Sequence, residues 1–240
     1  MPAPSEPSIL RTALSAVWRP GGLLYLALLL AGLAAGLWPE AVYPPRGAFR
    51  AAPLPALKTV GLAQVAFILL VYPLVIFSRW QGRRAGGRFW LAAACESAGF
   101  LLAAVPFYLA AAYLADATAP DAIRLGLYVA GLFPLAWSAG AFLAAGRARG
   151  AVIVALLVVA AGLPAAFYIA LEFLPSGAAE AFWKLAPATF AWQMASARAG
   201  SWVPCPVLAW LTWPIVAAIG IVWMFLRRPR AALPADRAAR

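Results

Sequence analysis

The sequence predicts an all-α, polytopic membrane protein with six transmembrane helices. An N-terminal amphipathic interfacial helix precedes them, and a short helical external segment precedes the last span. Three observations lead there. Of 240 residues, 65% are hydrophobic and only 11% are charged, against about 25% charged in an ordinary soluble domain. Mean hydropathy is +0.85, and the apolar runs far exceed the roughly 10 alternating residues of a membrane β-strand. In lipid such runs must close their backbone hydrogen bonds internally, as helices. Finally, the arginines gather between the runs, where they decide which side of the bilayer each loop occupies.

The loop Ser78–Phe89 (SRWQGRRAGGRF) sets the topology. Arg79, Arg83, Arg84 and Arg88 lie in it with no acid, flanked by long apolar runs. Four cations in so short a loop resist translocation, so it is cytoplasmic. The other elements are counted outward from it. Met1–Pro7, with three prolines, predicts an unstructured lead-in. In Ser8–Arg19, Ile9, Ala13, Ala16 and Val17 share one helical face with Arg11 and Ser15 off it, which predicts a short surface helix stopped by Pro20-Gly21-Gly22. The other reading is the basic lead of a signal peptide; the many later spans favour an uncleaved first span.

Predicted spans run over residues 22–38, 59–77, 89–114, 125–145, 151–174 and 205–226, leaving 1–21 and the basic tail 227–240 in the cytoplasm. Span 3 exceeds the roughly 20 residues a bilayer needs, so its first turns extend into the interface or the cytoplasm. Pro39–Lys58 is a proline-rich external loop. Ala115–Arg124 is a small external loop with Asp116 and Asp121, and GRARG (Gly146–Gly150) is a tight cytoplasmic turn. Arg11, Arg19, the four loop arginines, Arg147, Arg149 and the five tail arginines are thirteen of nineteen Lys+Arg, all on one side. Arg46, Arg50, Lys58, Arg124, Lys184 and Arg198 fall on the other. Both termini are therefore expected in the cytoplasm.

Spans 2 to 6 each hold one interior proline: Pro73, Pro106, Pro134, Pro164 and Pro214. Each removes a backbone donor and is expected to bend its helix, either as ordinary packing or in a bundle that opens and closes. Gly32 and Gly36 form a small-xxx-small pattern for close helix contact. AAVPFYLAAAYL in span 3 faintly echoes GLPAAFYIALEFL in span 5, too little for an internal repeat.

Ionisable groups inside spans are costly and face a partner. Glu96, beside Ser97 in the first turns of span 3, is the leading case. One reading pairs it with an arginine, such as Arg88 or one in the tail; the other starts span 3 later and leaves Glu96 among the headgroups. Gln64 and Ser138 are expected to make interhelical hydrogen bonds, and Glu172 to be interfacial. The segment Gly177–Ala199 (GAAEAFWKLAPATFAWQMASARA) is too polar to span. Ala181, Phe182, Leu185 and Ala186 form one short apolar face, and Phe190, Trp192 and Met194 continue after Pro187. Short helices on the outer interface, anchored by Trp183 and Trp192, are expected; an external gate or lipid-contact element is the other reading.

Several functions are excluded. The formal net charge of +11 would point to nucleic acid in a soluble protein, but here the cations mark span ends and anionic lipid contacts. Histidine is absent, which removes b-type haem ligation, histidine-based zinc sites and the usual proton shuttle. Cys95 and Cys205, predicted toward opposite faces, make neither a disulfide nor a metal motif. No catalytic constellation, phosphate loop or Walker lysine appears; the only lysines, Lys58 and Lys184, are external. No cofactor is expected, and the chain is not read as an enzyme.

The layout resembles the membrane subunit of an ABC-2 type ABC transporter. The resemblance rests on six spans with cytoplasmic ends and on the amphipathic Ser8–Arg19, similar to that family's connecting helix. It also rests on Leu185-Ala186-Pro187-Ala188-Thr189-Phe190-Ala191 before the last span and on the tail Arg227-Arg228-Pro229-Arg230. The chain departs from the Glu-x-x-x-Gly-Thr pattern many members carry near span 3, having Glu96-Ser97-Ala98-Gly99 there. The resemblance implies an exporter permease in the plasma (inner) membrane, pairing with a second permease subunit around a substrate path. It implies a separate ATP-binding subunit docked on Arg79, Arg83, Arg84 and Arg88, with no ATP held by this chain. Two other functions stay open: a non-catalytic scaffold or assembly subunit of a larger membrane complex, and a gradient-driven transporter. The last needs buried ionisable groups on several spans, and only Glu96 qualifies.

Overall fold

Lipid offers the backbone no partner but itself, and among the described residues the chain is almost wholly helical, without a strand. The computed structural model describes residues 20–42, 56–81, 87–115, 117–146, 149–173, 185–196 and 207–226. The amphipathic Ser8–Arg19, most of the loop after span 1, Arg83, Arg84, Arg147, Trp183, Cys205 and the basic tail lie outside the described residues.

Among the described residues, five stretches are long and apolar enough to cross a membrane: Pro20–Leu37, Ala56–Trp80, Gly87–Leu114, Ala119–Ala144 and Arg149–Phe167. They belong to α1 (Pro20–Val42), α2 (Ala56–Ala66) with α3 (Tyr72–Trp80), α4 (Gly87–Leu114), α5 (Ala119–Ala130) with α6 (Phe133–Ala144), and α7 (Arg149–Leu157) with α8 (Leu163–Phe173). Among the described residues α9 (Pro187–Ser196) and the 20-residue α10 (Val207–Leu226) follow. Within α10 the apolar stretch of described side chains is Leu211–Trp223, shorter than a span.

The interior prolines meet three different fates. Pro73 and Pro164 follow π turns, Phe67–Val71 and Val158–Gly162, where Tyr72 N–H reaches back to the Phe67 carbonyl and Leu163 N–H to that of Val158. The wider turn shifts the hydrogen-bond ladder just ahead of each proline ring. Pro106 and Pro214 sit inside the continuous helices α4 and α10. Pro134 does more than the expected bend. It ends the helix, and Gly131-Leu132 separates α5 from α6. The span also starts earlier than residue 125. Pro120 lies in the first turn, and Thr118 N–H is accepted by Asp121 Oδ2 at 3.2 Å, so the expected loop Ala115–Arg124 is largely the first turns of α5. At its other end Gly146, at φ +74°, takes the left-handed turn that only glycine adopts cheaply. Arg149 Nε then reaches the Leu143 carbonyl at 3.4 Å and its guanidinium lies over Phe77.

Close packing joins the spans. A Cβ on Gly36 would lie 2.5 Å from Ala56 Cα, and one on Gly32 would lie 2.9 Å from the Thr59 carbonyl, so the glycine pair seats span 1 against α2. The core between spans 1 to 4 is aromatic. Tyr25, Phe67, Tyr72, Phe100 and Phe133 are buried, with ring centroids 4.6 to 6.0 Å apart. By contrast, Ile153, Val154, Leu157 and Val158 on span 5, and Ile215, Ile219 and Val222 on α10, are exposed, as lipid-facing side chains are.

Helix α9 packs against the bundle. Ala186, Phe190, Ala191 and Ala195 are buried, and α9 packs on α2 and α5. Phe190 meets the Tyr128 ring at 4.7 Å, and Lys58 Nζ lies 4.7 Å above Trp192. Pro187 begins the helix, while the Ala186 carbonyl accepts from Phe190 N–H and Thr189 Oγ1.

Candidate functional site

A buried amide in an apolar span needs partners for both of its ends. Gln64, fully buried on α2, donates through Nε2 to Tyr25 Oη at 2.8 Å, and its Oε1 accepts from the Tyr108 hydroxyl. Tyr25 passes the chain on by donating to the Phe100 carbonyl at 3.1 Å. One continuous run of hydrogen bonds thus ties spans 1, 2 and 3. It bears out the interhelical bond expected of Gln64. Ser138 instead turns back on its own helix, to the Leu135 carbonyl at 2.8 Å. Gln64→Leu should cost about 1–2 kcal/mol, because two buried hydroxyls lose a partner at once. Denaturation of the full chain in detergent measures it; an unchanged midpoint would show the run to be redundant.

A second polar cluster lies nearer the arginine loop. Tyr72 donates to the Ala93 carbonyl at 3.2 Å, Ser97 Oγ donates to the same carbonyl at 2.9 Å, and Trp137 Nε1 donates to Ser97 Oγ at 2.9 Å. Spans 2, 3 and 4 meet here. Beside it Arg79, at the end of α3, pairs with Glu96 of α4, with side-chain exposures of 22% and 12%. Glu96 is therefore held within the bundle by an arginine of the adjacent loop, and that arginine is Arg79. The candidate Arg88 is exposed in the first turn of α4. Helix α4 starts at Gly87, so Glu96 sits in its third turn.

The four arginines singled out for docking thus divide. The structure ties Arg79 to Glu96 and leaves Arg88 exposed, while Arg83 and Arg84 lie outside the described residues. Cys95 is buried in α4. At the far end Asp121 pairs with Arg124 and accepts from Thr118, a helix-start arrangement. Among the described residues no three of cysteine, aspartate or glutamate come together. Reading the sequence missed Tyr25, Tyr72, Tyr108 and Trp137. Their signal was a polar tip on an aromatic body deep inside an apolar run, where it must find a partner.

Apolar helices of spanning length, joined inside by a few hydrogen-bonded chains, define an integral membrane protein of the helical class. No family model, curated protein or solved structure matches this chain.

Proposed function

We propose that the chain is the membrane-spanning subunit of an ABC-2 type transporter, lining the substrate path and driven by a separate ATP-binding subunit. Six spans with both termini cytoplasmic belong to this reading. Helix α10, at 20 residues and about 1.5 Å each, has the length of the sixth, and the one-sided arginines supply the orientation. The observation that carries it is the Arg79–Glu96 pair. The loop begins at a residue clamped to span 3, and span 3 is bonded through Ser97 to Trp137 of span 4. A soluble partner gripping Arg83, Arg84 and Arg88 would therefore push on three spans together. A second permease subunit completes the pathway, and the chain acts as an exporter.

Reversing Arg83→Glu and Arg84→Glu should release the ATP-binding subunit while the chain still inserts. Co-purification and ATP-dependent transport in proteoliposomes measure this. A doubly reversed protein that inserts, keeps its partner and still transports would reduce the loop to a topology marker. One observation favours a scaffold subunit instead. Gln64, Ser97 and Glu96 all spend their polarity on neighbouring helices. Stable isolation with a complex lacking any ATPase would decide for the scaffold.

A further inference from the structure

The irregular turns of different spans lie at one depth. Gly61 packs on Leu125 and Gly140 packs on Ile76. Both contacts join a residue of span 2 to the one 64 positions on (61 to 125, 76 to 140), so spans 2 and 4 run parallel in one register. That register sets the π turn Phe67–Val71 beside residues 131–135, the interruption of span 4. Phe133 does stack edge-on to Tyr72 at 5.6 Å. The second π turn, Val158–Gly162, packs against the first. Pro214 of α10 lies at Gly131, its ring 3.8 Å from where a Cβ would stand.

The packing changes across this layer. On the side away from the arginine loop, α2 packs on α1, α5 and α9, with Gly32 and Gly36 locking span 1. On the arginine side, α3 packs on α6, and α6 carries α7 and the second half of α10 through Ser138–Gly220 and Phe142–Trp223. Helix α4 joins both, bonded at Ala93, Glu96 and Ser97 on one side and at Tyr108 on the other, with Pro106 between. Toward the arginine end of span 1, Gly21 rests on the Val75 side chain.

We propose that this layer is a hinge, across which an arginine-end block (α3, α6, the first half of α4 and the second half of α10) turns against a far block (α2, α5, α9 and the second half of α4). Within each block the half-spans keep their partners during the motion, while α1, which touches Val75 at Gly21 and α2 at Gly32 and Gly36, crosses the layer unbroken. The bending is taken up where the helical ladder is already interrupted: at the π turn, at Gly131-Leu132 and at Pro106. Pro134 offers no N–H to the Ala130 carbonyl, so flexing there has one helical bond fewer to break. The aromatic cluster of Phe67, Phe100 and Phe133 fills the layer and is the surface that repacks. The hinge belongs to this chain whichever partner drives it.

The test is pulsed spin-label distance measurement on the full chain in lipid nanodiscs, in a Cys95→Ala, Cys205→Ala background. Exposed positions carry the labels: Tyr113 with Ile123 in the far block, Leu91 with Val222 in the arginine-end block, and Ile123 with Val222 across the layer. The two within-block pairs should each give one narrow distance, and the cross-layer pair a broad or two-component distribution. Pro134→Ala, which restores a donor to Ala130, should narrow the cross-layer distribution alone. A cross-layer distance as narrow as the within-block ones, or breadth untouched by P134A, would overturn the hinge. Should P134A also scatter the within-block distances, it has misfolded and the parent distributions decide. The ATP-binding partner is absent from the experiment, so its outcome does not depend on the transporter assignment.

Discussion

Gly36→Leu should be among the most damaging single substitutions in the described bundle. Its first added atom would stand 2.5 Å from the Ala56 backbone and 2.8 Å from Thr59 Oγ1. Backbone cannot rotate aside as a side chain can, so span 1 must lift from α2. Overpacking of this kind costs ~3 kcal/mol, the upper end of its usual range. The loss should spread, because Tyr25 on the same span completes the Gln64 chain. A clear drop in the detergent unfolding midpoint is expected, with Gly32→Leu similar, since its clash is with the Thr59 carbonyl. Gly126→Leu is the control, because nothing lies within 4 Å of its Cβ position. Equal stability of Gly36→Leu and Gly126→Leu would mean that span 1 does not pack as described.

Breaking the Arg79–Glu96 pair should be the second large effect. Glu96→Gln leaves the largely buried Arg79 side chain charged, with a weaker acceptor. A fully buried pair costs roughly 3–5 kcal/mol when one partner is removed. Both side chains here keep some exposure, 22% and 12%, so about 2 kcal/mol is expected. Arg79→Gln alone should cost a similar amount by leaving Glu96 charged. The double variant should lose less than the two single losses combined, because neither charge is then stranded. Additive losses in that cycle would show that the residues do not act as a pair. The midpoint in a mild detergent at fixed ionic strength reads all four proteins.

How much of this was legible beforehand follows from what each signal measures. Hydropathy reads the solvent each segment faces, and it located the five long apolar helices within a few residues. The ends moved where local chemistry outweighed apolar content, as at Thr118–Asp121, where a capping arrangement begins α5 before the apolar run does. Glu96 stood out because a carboxylate among apolar residues demands a partner. Its partner was not legible. Arg79 and Arg88 flank one short connection, and only the tertiary contacts of α3 with α4, Tyr72 to Ala93 and Trp80 to Phe89, show which of them reaches Glu96. The tyrosines were overlooked because an aromatic ring counts as apolar until its hydroxyl must be satisfied.

The amino-acid sequence by itself determined the helical class, the approximate place of five long apolar helices, and the need for a partner at Glu96. Those properties depend on composition along the chain and on the cost of charge in lipid, which act locally. Only the tertiary structure decided what each special residue does. Five prolines of one type yield two π turns, two continuous helices and one broken span, according to their surroundings. Gly32 and Gly36 could have served any neighbour, and the fold gives them α2. Choices of that kind depend on the register between spans, which arises from interlocking side chains far apart in the chain and has no one-dimensional signature.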